Sequence, residues 1–138
     1  MVEKSYIQME HMADIKYKIS GKSLSEIFEN TASAFSSYLT SGKRIKSNKK
    51  KTIELSADNI ETLLYKFIDE LIFLLDAQAF AVSSAKVIVD QKTNKLSATL
   101  SGFNSNNHHL NHVKAATYAE MYIKNNQKSW EAQIVLDV

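Results

Sequence analysis

Residues 58–77 read DNIETLLYKFIDELIFLLDA, and their apolar side chains recur at helical spacing. Ile60, Leu63, Leu64, Phe67, Ile68, Leu71, Leu74 and Leu75 fall on one wide face, which a helix can bury against other elements. Asp58 has an acid three residues on, Glu61, the spacing of a capping box. The pattern predicts a core helix that starts after Asp58 and stops near Asp76–Ala77. Asp69 and Glu70 fall on its polar side. Asp76 is the exception, because an acid near a helix C-terminus opposes the dipole and so invites another use.

Upstream, Ile15, Tyr17 and Ile19 alternate with Lys16, Lys18 and Ser20, the period of a half-buried strand. Gly21 and Lys22 turn the chain. Ser23 and Glu26 form a second capping box ahead of the stripe Leu24, Ile27, Phe28, Ala32, Phe35, Tyr38 and Leu39. Residues 41–51, SGKRIKSNKKK, hold six basic side chains and no acid, which predicts an exposed loop. A short strand is expected over Thr52–Ser56. Downstream, Ala85, Val87 and Val89 alternate, as do Leu96, Ala98 and Leu100, with residues 91–94 as a hairpin turn. Residues 102–112 read as a polar loop, 113–123 as extended, 124–128 as a turn and 130–136 as a final strand. The expected fold is therefore α+β: two main helices on one face of a mostly antiparallel or mixed β-sheet, one domain over residues 1–138.

The chain has 138 residues with a net charge of +2, 44% hydrophobic and 23% charged, which excludes a disordered polymer. It has no cysteine, so disulfides, thiolate-bound zinc, iron–sulfur clusters and thiol nucleophiles are ruled out. No GxxxxGK[ST] or GxGxxG loop occurs, which removes both common phosphate-cradling motifs. Without an apolar run near 20 residues or a leader core, the expectation is a cytoplasmic protein with no membrane association.

Several residues could carry chemistry. His11 and Asp14 precede the first strand and could share a metal or a proton, or simply form a turn. His108, His109 and His112 cluster in a segment without helical period, which favours a solvated loop over a zinc site. Lys114 opens an apolar segment, so its ammonium must reach solvent or a cleft. Asp137 adjoins the terminal carboxylate of Val138; with a third carboxylate nearby, the group would suit a hard cation.

Five blocks taken together resemble the archease family. They are His11-Met12-Ala13-Asp14-Ile15, GKSLSEIFEN at 21–30, DELIFLLDA at 69–77, HVKAATY at 112–118 and WEAQIVLDV at 130–138. Archeases are small α+β proteins that assist an RNA-splicing ligase of the RtcB type, which joins 2′,3′-cyclic or 3′-phosphate RNA ends to 5′-hydroxyl ends. The resemblance implies a non-catalytic activator that promotes guanylylation and turnover of that ligase in tRNA splicing or RNA repair, with RNA contacted indirectly through the ligase. It also implies a metal site at Asp14, Asp137 and Val138, for calcium, with magnesium or manganese as alternatives. His11, Lys114 and Asp76 would belong to the activation surface. Three departures stand out: Met12 replaces the usual Thr, Ala119 replaces a frequent His, and residues 103–111 are poor in acids. The competing readings are a metal-dependent hydrolase built on Asp14 and Asp137, and an RNA-binding or chaperone-like module using residues 43–51.

Overall fold

A computed structural model describes residues 14–138. Strand β1 (Asp14–Gly21) leads into helix α1 (Leu24–Thr40), then β2 (Lys49–Ser56) and helix α2 (Ile60–Gln78). Strands β3 (Phe80–Asp90) and β4 (Lys95–Asn104) form a hairpin, and a 3₁₀ turn covers Ser105–Asn107. Short β5 (Ala115–Ala116), β6 (Tyr122–Asn125) and β7 (Trp130–Asp137) complete the chain. The α+β class is as expected, and among the described residues every strand pair is antiparallel.

The strands divide between two sheets, a partition that alternation alone does not reveal. One has the order β2-β4-β3; in the other β7 is central, with β1 along one side and β5 and β6 along the other. Both helices touch both sheets. Phe28 of α1 meets Phe67 of α2 edge to face, with ring centroids 5.5 Å apart, a geometry that adds about 0.5–1.5 kcal/mol to the burial of the two rings. Ile27, Phe35, Leu63, Leu64 and Ile134 belong to the same core and are fully buried.

The helix starts follow local hydrogen bonding. Ser23 caps α1 by accepting from the Glu26 amide, and Glu26 reaches back to the Lys22 amide. For α2 the cap is Asn59, not Asp58: its side chain accepts from the Thr62 amide at 2.8 Å. Helix α1 ends through Ser41 and Gly42, both with positive φ, as the Gly42 amide returns to the Ser37 carbonyl. Asn111 completes that end by donating from its side chain to the Tyr38 carbonyl at 2.7 Å.

Three boundaries differ from expectation. The basic run is not all loop, since Lys49, Lys50 and Lys51 open β2. Being an edge strand, β2 tolerates exposed lysines where a central strand would need apolar alternation. Gly102, Phe103 and Asn104 finish β4 and are not loop. Residues 113–123 are extended only at Ala115–Ala116 and from Tyr122 onward.

The outer edge of β3 is covered by α1. The Val87 amide donates to Glu29 at 2.9 Å and the Val89 amide to Ser25 at 3.1 Å. Those two side chains occupy edge groups that would otherwise be open to another strand. Among the described residues, no helix is long and apolar enough to cross a membrane.

Candidate functional site

The β1–β7 register places Ile15, Tyr17 and Ile19 opposite Leu136, Ile134 and Ala132, and of these Tyr17, Ile19, Ala132, Ile134 and Leu136 pack in or against the core. Alternation then sends the intervening residues outward, and the terminal outward pair is Asp14 opposite Asp137. Directly paired residues have Cβ atoms about 4.5–5.5 Å apart, and like charges so placed destabilise a sheet. Among the described residues no cationic side chain lies within ion-pair distance of either carboxylate. Val138 follows immediately and is half-buried against the core.

On the other side of β7, Ala115 pairs with Asp137, and the Lys114 amide donates to the Asp137 carbonyl at 2.8 Å. Backbone pairing therefore brings Asp14, Asp137 and Lys114 together. The Lys114 side chain is exposed, as the sequence required. Asp76, near the end of α2, is also exposed but lines a different cavity of about 300 Å³, together with His108, Asn111 and His112. His11 lies outside the described residues, as does Met12.

Asp14 and Asp137 could offer carboxylate oxygens to a metal, and oxygen donors suit a hard cation such as calcium better than a soft one. Among the described residues no three His, Cys, Asp or Glu side chains converge as a metal-binding group. His108, His109 and His112 are exposed, and His108 packs edge-on against Phe103 with centroids 4.9 Å apart. They form a solvated loop, in line with the sequence reading.

A strap that the sequence did not single out lies over the outward face. The Thr117 amide donates to the Val135 carbonyl, and Gln133 donates to the Glu120 carbonyl. Glu120 also pairs with Lys16 at 2.5 Å. Val135 faces outward opposite Lys16 yet is only 2% exposed. Within the strap Tyr118 is 50% exposed and stacks on Tyr65 of α2, with centroids 4.2 Å apart. The only hint of this in the sequence was the block HVKAATY. At the far end of the same face, Tyr122 donates to Glu131 at 2.5 Å. That hydrogen bond holds the Glu131 carboxyl below its ordinary range and raises the Tyr122 phenol.

The model of the Archease protein family matches residues 6–138. A protein archease from Pyrobaculum calidifontis is 36% identical over 97% of this chain and 95% of its own length. Another from Pyrococcus furiosus is 33% identical over 94% and 95%. The solution structure of protein 1598 from Methanobacterium thermoautotrophicum has a TM-score of 0.75 and 28% identity, covering 91% of this chain and 93% of its own. A Thermotoga maritima crystal structure, described as an archease and possible chaperone, shares the fold at a TM-score of 0.66 and 19% identity over 93% of each chain. With the family match running through β1, both helices and β7 to residue 138, the chain belongs to the archease family.

Proposed function

We propose that this protein is a non-catalytic activator of an RtcB-type RNA ligase, promoting its guanylylation and turnover in RNA splicing or repair. The observation that carries the reading is the β1–β7 register, which sets Asp14 beside Asp137 within a chain of the archease family. Asp14, Asp137 and the terminal carboxylate of Val138 would hold calcium, or else magnesium or manganese. The bound cation would supply positive charge that relieves their mutual repulsion and fixes the chain end.

In this reading the fixed chain end, the Lys114 ammonium and the exposed Tyr118 ring form the surface that meets the ligase. Lys114 is carried there by its backbone bond to Asp137. Asp76 and His11 would contribute at the periphery. The test is to mix the untagged protein with its own organism's ligase, GTP and metal, and to follow guanylylation. Substoichiometric stimulation that is lost in Asp14→Ala, with unchanged circular dichroism, supports the reading. Full stimulation by Asp14→Ala would remove the site, and no stimulation by the wild type would remove the function.

A further inference from the structure

Strand β3 carries a bulge. Val82 pairs with Gly102 and Ser84 with Ser101, so Ser83 is an extra residue with no partner on β4. Gly102 permits this arrangement, since a Cβ there would lie 2.2 Å from the Ala81 carbonyl oxygen. In a regular strand, consecutive side chains point to opposite faces. Here Ser83 and Ser84 line one cavity of about 440 Å³, shared with Ser36 and Thr40 of α1 and with Lys43 and Arg44 of the following loop. A bulge is a common means of re-aiming side chains toward a site.

Two further observations point to an anion. The Ser83 hydroxyl oxygen is buried and has no hydrogen-bond partner. Lys43 and Arg44 are exposed, and among the described residues neither pairs with an acid. The Thr40 hydroxyl donates to the Ser36 carbonyl, but the serine hydroxyls beside two cations, with Phe103 also lining the cavity, match the oxygens of a phosphate group.

The surroundings favour a phosphate within a polymer. From Ser84 the outward face of the three-stranded sheet continues to Ser101 and Lys50, and the next row holds Lys86, Thr99 and Thr52. Lys46 and Lys49 are also exposed, Lys49 at the first position of β2. A lone phosphate needs only the cavity, whereas a row of cations and hydroxyls can follow a backbone. Along the strands, acids enter this face only in the two farther rows, at Glu54 and Asp90, while Glu29 of α1 lies at the β3 edge near Lys86 with its carboxylate bonded to the Val87 amide.

We propose that this cavity and the adjoining rows bind the phosphate backbone of single-stranded RNA, without reading sequence. The contact is independent of Asp14 and Asp137. The experiment is fluorescence anisotropy of a labelled mixed-sequence 20-nucleotide RNA with the full chain, between 50 and 200 mM salt. Lys43→Ala/Arg44→Ala should weaken binding at least about tenfold and lower the salt slope by about 1, close to the loss of one or two phosphate contacts. Ser83→Ala should weaken it a few-fold while leaving the melting temperature unchanged or higher, because that hydroxyl has no partner in the protein. Lys92→Ala/Lys128→Ala, an equal loss of charge elsewhere, should stay within twofold of wild type.

Inorganic phosphate, GTP and a poly-glutamate peptide serve as competitors. Weak competition by all three supports the proposal. It is overturned if RNA does not bind, or if the Lys43/Arg44 and Ser83 variants bind RNA like wild type. It is equally overturned if phosphate or GTP displaces RNA at matched charge, which would make this a small-anion site, or if poly-glutamate does, which would make it a protein-docking site.

Discussion

The four-stranded sheet gathers a local pair of acids among lysines and the three-stranded sheet a local run of cations, and they acquire them by different means. On the first, two acids far apart in sequence become neighbours because β1 and β7 pair in one register. On the second, the cations are mostly contiguous in sequence, and the fold's contribution is a bulge that turns two serines toward them. A charge pair made by register depends on the whole fold. A charge run made by sequence survives local change, but the cavity beside it does not.

The largest way to break this comparison is Gly102→Ala. The added methyl meets backbone 2.2 Å away, so the bulge must shift. A loss of about 3 kcal/mol is expected, measured by urea unfolding. An unchanged midpoint would mean that the bulge does not depend on that close approach.

Next comes calcium. If the carboxylates hold it, saturating metal at about 100 times its dissociation constant should add about 2.7 kcal/mol to stability. Asp14→Asn should abolish that gain in a thermal melt with and without calcium. An equal calcium shift in both proteins would place the metal elsewhere.

Asp137→Asn sharpens the same point through a change of sign. In chelator and low salt it should stabilise by a few tenths to about 1 kcal/mol, because a like-charge cross-strand pair is removed. In calcium it should destabilise relative to wild type. Denaturant titrations under both conditions decide it, and one sign throughout would argue against a bound cation.

The smallest effect concerns pH. The Glu131 carboxyl is held low, first by its hydrogen bond from Tyr122, so its contribution is present above the ordinary glutamate range and lost as pH falls through the folded value. The Tyr122 phenol is raised, so its bond is lost in strong alkali, and stability falls once the unfolded phenol ionises above about pH 10. Glu131→Gln should flatten the acid limb of melting temperature against pH. A limb of unchanged slope would assign acid sensitivity to other carboxyls.

How far the sequence could be read depended on whether the signal was local. The α2 face and the Ser23–Glu26 cap are written within a few residues, and both formed as expected. Asp58 and Asn59 are neighbouring cap formers, and only the backbone geometry at Asn59 selects between them. Lys49–Lys51 lacked strand alternation because Lys49 and Lys50 stay exposed on an edge, while Lys51 turns over the Phe80 ring at 5.7 Å. Alternation assigns faces but not partners, so the division into two sheets was out of reach. The meeting of Asp14 with Asp137 had no local signal either; the family resemblance supplied it. For the bulge, the available clue was Gly102, which becomes informative only once it is placed inside a strand.

The central place of β7 bears on how the molecule folds. Helices α1 and α2 and the β3–β4 hairpin join residues that are close along the chain, so they can form early at small loop-closure cost. The other sheet must wait for β1 to find a strand more than a hundred residues away, a high-contact-order step expected to be late and slow. The acidic pair would then come into being only as folding finishes. A cation bound there would act on the native state alone, slowing unfolding while leaving the folding rate almost unchanged.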